Sequence, residues 1–510
     1  MQLQDCQMKI TLLGSRTYHQ TPEPASPLPL PDTYLILCVG GLEKDAVAAA
    51  IAYFNIRRDM HYQAEAACTW TSDFKIFEID EEARVGNAGC GKVILETNIP
   101  PQVVLSIPFV IAVLAYIGED HALPPERDIA LAYLHDILRD AVNWEAAMRL
   151  WACVRDSAAS TTAATNSTSL NQRPSWTDMV VTKTQPFSCK FRASVVRDGV
   201  HPCGGMDMLP ALGDGASARL GEDFLTVDLL NFDLEIVAIV LHQHVHFGLV
   251  LDGARSTFKS GMPSERVPPI LFKDQVTASL RPSTAHLFLA MCNPCVGDVV
   301  CDFMAGVGTV PLVAAIAPPP SPQTFSLGGD QSDEAWINMQ QNFDFLREEM
   351  HGCVDYGCTQ GKGRSAVVGL ARWDSRRLPL RDGIVDVGIV DLPFGKRHKH
   401  KGGPMLHLYE RAFREMARVI RPGGRLLVLA ARASFVEDAF NSVFCAGCWN
   451  PSDATGTAVG HDEEIRPRRV NIGGMRAVVY LVFRTVACMP VLPDRYLKKI
   501  RTRKSHQRAK

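Results

Sequence analysis

The sequence predicts an α/β protein whose C-terminal half is a Rossmann-like, doubly wound parallel sheet. Val299-Val300-Cys301-Asp302-Phe303-Met304-Ala305-Gly306-Val307-Gly308-Thr309 reads as a strand, a glycine turn and a helix start, the arrangement with which such sheets cradle a nucleotide-like cofactor. The strand-like run Val385 to Val390 is closed by Asp391-Leu392-Pro393-Phe394. An acid, a proline and an aromatic at a strand's C-terminal end can hold a flat nitrogenous ring beside a methyl donor. From about residue 268 onward, strand-like runs alternate with helical spacings, the pattern of a parallel sheet with helices on both faces. Together these features imply an S-adenosylmethionine-dependent N-methyltransferase.

A chain of 510 residues exceeds the roughly 250–300 at which one core stops growing, so two or more domains are expected. The net charge of −2 exerts no global pull on nucleic acid and leaves RNA binding to local basic patches. The longest strongly apolar stretch, Val103 to Ile117, contains Pro108 and falls short of the roughly 20 residues of a membrane span, so it reads as core and no membrane partner is expected. Met1 to Cys6 lacks the basic-then-apolar order of a secretory signal. The 15 cysteines lie scattered in apolar surroundings, which suits reduced thiols in the cytoplasm or the nucleus. Two C-x-x-C pairs, Cys292/Cys295 and Cys445/Cys448, have zinc-like spacing, but about 150 residues separate them and no metal site is expected.

Along the chain, residues 15–32 are rich in proline and polar residues and read as a mobile lead-in. Thr33 to Val39 then forms a strand that enters a helix through Gly40-Gly41, with Leu42, Ala46 or Val47, Ala50 and Phe54 at helical spacing. Glu126 to Val154 reads as one long amphipathic helix with Ile129, Tyr133, Ile137, Val142 and Met148 on one side. Ser157 to Asn171, almost entirely Ser, Thr, Ala and Asn, reads as a polar surface insertion. Strands follow at Phe187 to Val195 and Asn231 to Val240. His242, His244 and His246 alternate and would share one face of a surface strand.

In the C-terminal half, Gly306 and Gly308 would let backbone approach a ligand, and the helix from Thr309 would offer free N–H groups. The strand Thr324 to Gly329 ends at Asp330, whose carboxylate can accept both ribose hydroxyls of an adenosyl group. Ala366 to Leu370 leads to Asp374, which could accept the adenine amino group. Methyl transfer to an exocyclic amine needs a nitrogen lone pair aimed along the S–CH3 axis, so two acceptors must grip the N–H hydrogens. The Asp391 carboxylate and the carbonyl of Leu392 or Pro393 can do so, and Phe394 would stack on the base. Lys396, Arg397, Lys399 and Lys401 form a cationic loop where RNA phosphates would pass. Met405 to Ile420 reads as a helix burying Tyr409, Phe413, Met416 and Ile420. Asn471 to Arg476 precedes a last strand, Ala477 to Phe483, and a basic tail from Lys498 suits RNA or nuclear import.

With these residues in place, the chain resembles the THUMP-domain RNA guanosine-N2 methyltransferases. Asp302-Phe-Met-Ala-Gly-Val-Gly-Thr309, Arg372-Trp-Asp-Ser-Arg-Arg-Leu-Pro-Leu-Arg381, Asp391-Leu-Pro-Phe-Gly-Lys-Arg397 and Asn471-Ile-Gly-Gly-Met-Arg476 carry the resemblance, with Leu280-Arg281-Pro282 entering the catalytic part. More loosely, Val39 to Glu43, Phe187 to Arg192 and Asn231-Phe-Asp233 look like its ferredoxin-like and THUMP portions. The resemblance implies a class I methyltransferase sheet behind an N-terminal α+β ferredoxin-like/THUMP module. It implies a lead-in at 1–32, an RNA-binding region at 33–265, a methyltransferase domain at 268–487 and a basic tail at 488–510. It further implies S-adenosyl-L-methionine as cofactor, a guanine N2 of the tRNA acceptor stem as target and a small zinc-binding activator subunit as partner. Small nuclear RNA as target, or a catalytically weak RNA-binding subunit, are the alternatives. The family has proline and cysteine where this chain has Phe303 and Ala305, a departure that bears on cofactor affinity.

Overall fold

The computed structural model describes residues 10–12, 31–61, 71–76, 91–165, 189–198, 201–251, 258–259, 262–263, 279–316, 324–352, 367–393, 405–451 and 466–486. Phe394, the cationic loop, the latter part of the polar insertion and the basic tail lie outside the described residues. The chain divides into two compact units, Met1–Pro268 and Pro269–Lys510.

The first unit is α+β. Its nine-stranded sheet comprises β1 (Ile10–Leu12), β2 (Asp32–Leu37), β3 (Ser72–Ile76), β4 (Lys92–Thr97), β5 (Ala112–Asp120), β6 (Cys189–Asp198), β7 (Leu225–Val227), β8 (Leu234–Leu241) and β9 (His244–Val250). Their order is β1-β3-β4-β2-β5-β9-β8-β6-β7; a small separate hairpin joins β10 (Phe258–Lys259) to β11 (Met262–Pro263). The apolar stretch around Val103 is core, with Val104, Ile107, Val113 and Leu114 buried. Leu42, Ala46, Val47, Ala50 and Phe54 are buried as their spacing requires. Among the described residues, no helix is long and apolar enough to cross a membrane.

Five expectations for this unit change. The lead-in contains β1, which pairs in parallel with β3. The long helix is two, Arg127–Asp140 and Trp144–Thr165, because Ala141 is extended at ψ 136. Its predicted face is also partly misplaced: Met148 is buried, but Ile129 and Val142 are 56% and 84% exposed, whereas Ala130, Leu134 and Leu138 are fully buried. The second helix continues to Thr165, so the polar run from Ser157 begins inside a helix, where alanines sustain it despite the lack of apolar area.

The histidines depart from a simple surface strand as well. His242 lies in the turn at φ 55, so only His244 and His246 belong to β9. Sequence spacing could not show that β5 pairs with β9 and brings an acid to them. His246, 1% exposed, places Nδ1 3.2 Å from Glu119 Oε2, and His244 Nδ1 lies 2.7 Å from His121 Nδ1. Among the described residues, no group of three or more His, Cys, Asp or Glu side chains is placed to hold a metal ion. The segments around Phe187 and Phe232 do meet, with the Arg192 guanidinium 4.2 Å from the Phe232 ring centre and 2.5 Å from the buried Glu235 carboxylate.

The second unit is the doubly wound sheet. Its strands are β12 (Val299–Asp302), β13 (Phe325–Asp330), β14 (Val367–Arg372), β15 (Val385–Asp391), β16 (Ile420–Ala430), β17 (Trp449–Pro451), β18 (Arg468–Ile472) and β19 (Met475–Arg484). The order is β14-β13-β12-β15-β16-β19-β17, with β18 also paired to β19. The first five run parallel. Only β19 is reversed, antiparallel to β16, β17 and β18. Chain order reverses between β12 and β15, which creates the switch point where such sheets open a ligand crevice at their carboxyl ends. Helices Pro282–Cys292, Thr309–Ile316, Asp333–Gly352, Met405–Val419 and Ala433–Phe440 connect or cover the strands.

Aromatic packing fixes one side of this sheet. Phe413 stacks on Phe440 with ring centres 4.6 Å apart, and both belong to a core that includes Tyr409, Met416, Val428, Tyr480 and Val482. The β18–β19 hairpin is an addition to the expected last strand. Gly473 and Gly474, at φ 59 and 83, form its two-residue turn, the backbone shape that twists correctly between paired strands.

Candidate active site

The glycine turn sits at the carboxyl end of β12. Asp302, 3% exposed, accepts the Met304 N–H at 3.1 Å. The Ala305 N–H donates to the Gly329 carbonyl at 3.0 Å, and the Asn342 side chain donates to the Val307 carbonyl at 2.8 Å. Gly306 and Gly308 have φ 54 and 90, values that side-chain-bearing residues avoid. Their surroundings differ. A Cβ on Gly306 would meet open space, whereas one on Gly308 would lie 2.8 Å from Met339 Cγ. Gly306 is therefore the open backbone position of the turn, and Gly308 is required for packing against the helix Asp333–Gly352.

Asp330, closing β13, ties this turn to the sheet. Its Oδ2 accepts the Gly306 N–H at 3.1 Å and its Oδ1 accepts the Ser332 N–H at 2.9 Å. Both oxygens keep lone pairs for further donors. Asp374 is more heavily engaged: Arg376 donates to it from Nε at 2.9 Å, from Nη2 at 2.8 Å and from its backbone N–H at 2.9 Å.

Trp373 is the residue of this region that sequence reasoning missed. Its indole N–H donates to the Phe303 carbonyl at 3.1 Å, and its backbone N–H donates to the Asp330 carbonyl at 3.1 Å. The ring lies so close to Gly329 that a Cβ there would be 2.5 Å from Cε2. One side chain thus locks the ends of β12, β13 and β14 together. A tryptophan between charged residues just after a strand was the available signal.

Phe303 turns away from the turn and into the core, where it is fully buried. It lies over Gly388 of β15; a Cβ at that glycine would sit 2.7 Å from Phe303 Cε2. The phenylalanine ring therefore occupies the space that the missing side chain of Gly388 leaves on the neighbouring strand.

Asp391 closes β15. Asp302 pairs with Ile389, so the two carboxylates stand on adjacent parallel strands at the same sheet edge. The Leu392 N–H donates to the Leu429 carbonyl at 2.9 Å, fixing the chain beyond Asp391. Tyr409, 3% exposed, donates its hydroxyl to the Pro393 carbonyl at 3.1 Å. Phe394, Lys396, Arg397, Lys399 and Lys401 fall outside the described residues.

The electrostatics of this edge are unusual. Burial, followed by the nearby Asp391 and Asp330 charges, pushes Asp302 up to about 8 despite the Met304 bond that opposes the shift. Although part of the Asp391 surface is open, surrounding protein desolvates it and raises it to about 7. Burial and the Asp391 charge raise Tyr409 to about 12, keeping its hydroxyl a donor. Such a floor favours a cationic ligand, because positive charge relieves carboxylates that are costly to ionise together. The buried Thr309 hydroxyl, with no hydrogen-bond partner among the described residues, adds an unsatisfied polar group at the helix that the turn feeds. An open glycine backbone, a carboxylate with free lone pairs and an acidic floor fit an adenosyl sulfonium compound.

Known proteins agree with this geometry. A family model described as RMKL-like, methyltransferase domain, matches residues 272–444. The human tRNA (guanine(6)-N(2))-methyltransferase THUMP3 is 28% identical over 309 residues, 59% of this chain and 53% of its own. The bovine U6 snRNA (guanine-N(2))-methyltransferase THUMPD2 is 32% identical over 169 residues, 33% of this chain and 29% of its own. The chain spans about half the length of the THUMP3 relatives it matches. Among solved structures, TrmN from Thermus thermophilus aligns with a TM-score of 0.51 at 16% identity, over 89% of this chain and 99% of its own. SMU.472, a putative methyltransferase complexed with SAH, aligns with a TM-score of 0.52 at 11% identity, over 90% of this chain and all of its own. The Rossmann-like sheet, the glycine turn and the match together identify residues 272–444 as a methyltransferase domain of the RMKL-like family.

Proposed function

We propose that the protein is an S-adenosylmethionine-dependent RNA (guanine-N2)-methyltransferase that acts on the acceptor stem of tRNA. The observation that carries this reading is the acidic floor at the switch point, where the buried Asp302 and the half-buried Asp391 close adjacent parallel strands beside the glycine turn. Gly306 and the turn would receive the amino-acid end of the cofactor, Asp330 its ribose and Asp374 its adenine, with Gly308 holding the turn's shape. Bound there, S-adenosylmethionine supplies a methyl group on a cationic sulfur. Asp391 and the Pro393 carbonyl would each accept one N–H hydrogen of the guanine amine. This grip turns the nitrogen lone pair out of ring conjugation and towards the methyl group. Once methylation makes the amine acidic, Asp391 is the base placed to take the proton. Phe394 would stack on the base, and Lys396, Arg397, Lys399 and Lys401 would contact phosphates.

The second acceptor depends on Tyr409. Its hydrogen bond orients the Pro393 carbonyl, so Tyr409→Phe should lower the single-turnover rate about five- to tenfold, the worth of roughly one hydrogen bond. Cofactor affinity, measured by calorimetry, should stay within twofold. A rate equal to wild type would show that the carbonyl needs no such support.

The activity itself is tested by incubating the full chain with radiolabelled S-adenosylmethionine and either unmodified tRNA or U6 snRNA, with and without a small zinc-binding activator subunit. Label in N2-methylguanosine of tRNA is the expected result. Label only in U6 snRNA would reassign the substrate, as the similarity to THUMPD2 allows. No label despite cofactor binding would favour a non-catalytic RNA-binding subunit.

A further inference from the structure

We infer that the β18–β19 hairpin is a second RNA-backbone contact, a basic clamp beside the pocket that takes the target base. The inference rests on the reading of the site as an RNA methyltransferase, and adds to it the surface that holds the flanking strand.

Position comes from register. Asp391 pairs with Leu429 and Leu429 with Val479, so β19 passes the acidic floor two strands away, about 10 Å to the side. Because β19 is reversed, its first residues project beyond the carboxyl edge. Arg476 stands three residues past Val479, about 10 Å above the floor. Asn471 pairs with Arg476 and Arg469 with Val478. Paired residues share a face and alternate residues return to it, so Arg469 and Arg476 are diagonal neighbours on one face. The Gly473-Gly474 turn is held by the Gly474 N–H donating to Asn471 Oδ1 at 2.9 Å.

That face belongs to the site. It is shared by Tyr480, whose hydroxyl donates to Glu437 Oε1 at 2.8 Å on the helix Ala433–Phe440. Arg432 precedes this helix and lies 5.6 Å from the Phe435 ring centre. Phe435 in turn meets Tyr409, ring centres 6.5 Å apart, and Tyr409 holds the Pro393 carbonyl. A series of contacts therefore runs from the base-gripping loop to Arg432, while Arg469 and Arg476 share their sheet face with Tyr480. Arg432, Arg469 and Arg476 are all exposed, and among the described residues none has a carboxylate within ion-pair distance.

Arg469 and Arg476, diagonal neighbours on one face, concentrate positive charge that a polyanion neutralises, and Arg432 adds a third guanidinium at the carboxyl end of β16. Guanidinium forks match phosphate oxygens in geometry. A basic rim over an acidic floor suits a ligand that carries negative charge on its backbone and N–H donors on its base. RNA has both. Met475, 48% exposed at the hairpin tip, offers a flat apolar contact beside the arginines.

The test uses the full chain and an unmodified tRNA transcript, with dissociation constants measured against salt concentration. Arg469→Gln/Arg476→Gln should weaken binding about tenfold or more and reduce the slope of log affinity against log salt by about two, one per lost phosphate contact. Arg469→Lys/Arg476→Lys should retain most of the slope. S-adenosylmethionine affinity and melting temperature serve as fold controls. A measurement that needs no variant accompanies it: in the wild-type chain, tRNA should protect Arg432, Arg469 and Arg476 from phenylglyoxal, read by mass spectrometry. A wild-type chain that methylates tRNA while the glutamine variant binds with unchanged affinity and slope, or whose three arginines stay fully reactive, overturns the clamp and leaves the catalytic reading standing. A wild-type chain that binds no RNA overturns both.

Discussion

Replacing Asp391 with alanine should lower the methyl-transfer rate about a thousandfold while leaving cofactor binding nearly intact. The carboxylate is assigned two tasks, gripping an N–H hydrogen before transfer and taking a proton after it, and positioned groups of each kind are worth about 10²–10⁴ in rate. Asp391→Asn should be nearly as slow. An amide oxygen can still accept one hydrogen, but the adjacent NH2 presents a donor to a donor and cannot take the proton. The pH dependence follows from the raised pKa. In the ligand-free chain Asp391 titrates at about 7 because protein desolvates it, and only its ionised form accepts twice. For the wild type kcat/KM should rise about tenfold per pH unit below that value and level off above it, since this ratio reports the free enzyme. The positive charge of the cofactor favours ionisation, so the midpoint for kcat should lie lower. Measuring kcat/KM from pH 5.5 to 9 would check this: a flat wild-type profile, or Asp391→Asn at more than a tenth of the wild-type value, removes Asp391 from the chemistry.

What could be read in advance, and what could not, divides along physical lines. The strands of the doubly wound sheet from β12 to β15 were legible, because buried parallel strands are largely apolar runs and several end in a residue of different character, such as Asp302, Asp330 or Asp391. The β18 strand was not. Its sequence, Arg468-Arg469-Val470-Asn471-Ile472, alternates weakly and pairs along only one edge, so little apolar patterning is demanded of it. Tyr409 was invisible as a site residue for another reason: it acts through a hydrogen bond to a backbone carbonyl, which any sequence presents at every position. Phe303 adjoins Asp302 in sequence, yet its ring fills the space left by Gly388 one strand away. The same limit governed the histidines, since Glu119 reaches His246 only through the β5–β9 pairing. Long-range pairing decides such contacts, and local spacing carries no trace of it.

The acidic floor also predicts that the ligand-free domain gives up stability for function, and Asp302 shows it most clearly. Its folded-state pKa of about 8 lies far above the ordinary 3.8, so the native state binds a proton more tightly than the unfolded chain does. Stability from this group is fully present below pH 4 and is lost progressively as pH rises through about 8. Asp302→Asn removes the ionisation and keeps an oxygen to accept the Met304 N–H. The variant should therefore be more stable than wild type at pH 8.5 by on the order of a few kcal/mol, each worth about 2–4 °C in melting temperature for a domain of this size. At pH 5, where the folded carboxyl is neutral and only the unfolded one is ionised, the difference should be much smaller, and below pH 4 it should vanish. Cofactor binding should show the opposite preference. S-adenosylmethionine ought to raise the wild-type melting temperature most at high pH, because its positive charge relieves the ionised floor, and should do little for the variant. Thermal unfolding of both proteins from pH 5 to 9, with and without cofactor, decides the matter. Wild-type stability that is flat with pH would mean that solvent reaches Asp302 after all, whereas a variant stabilised at every pH alike would point to packing and not to charge. If the stability gain and the cofactor loss appear together, the strain at the end of β12 is part of how the site selects a cation.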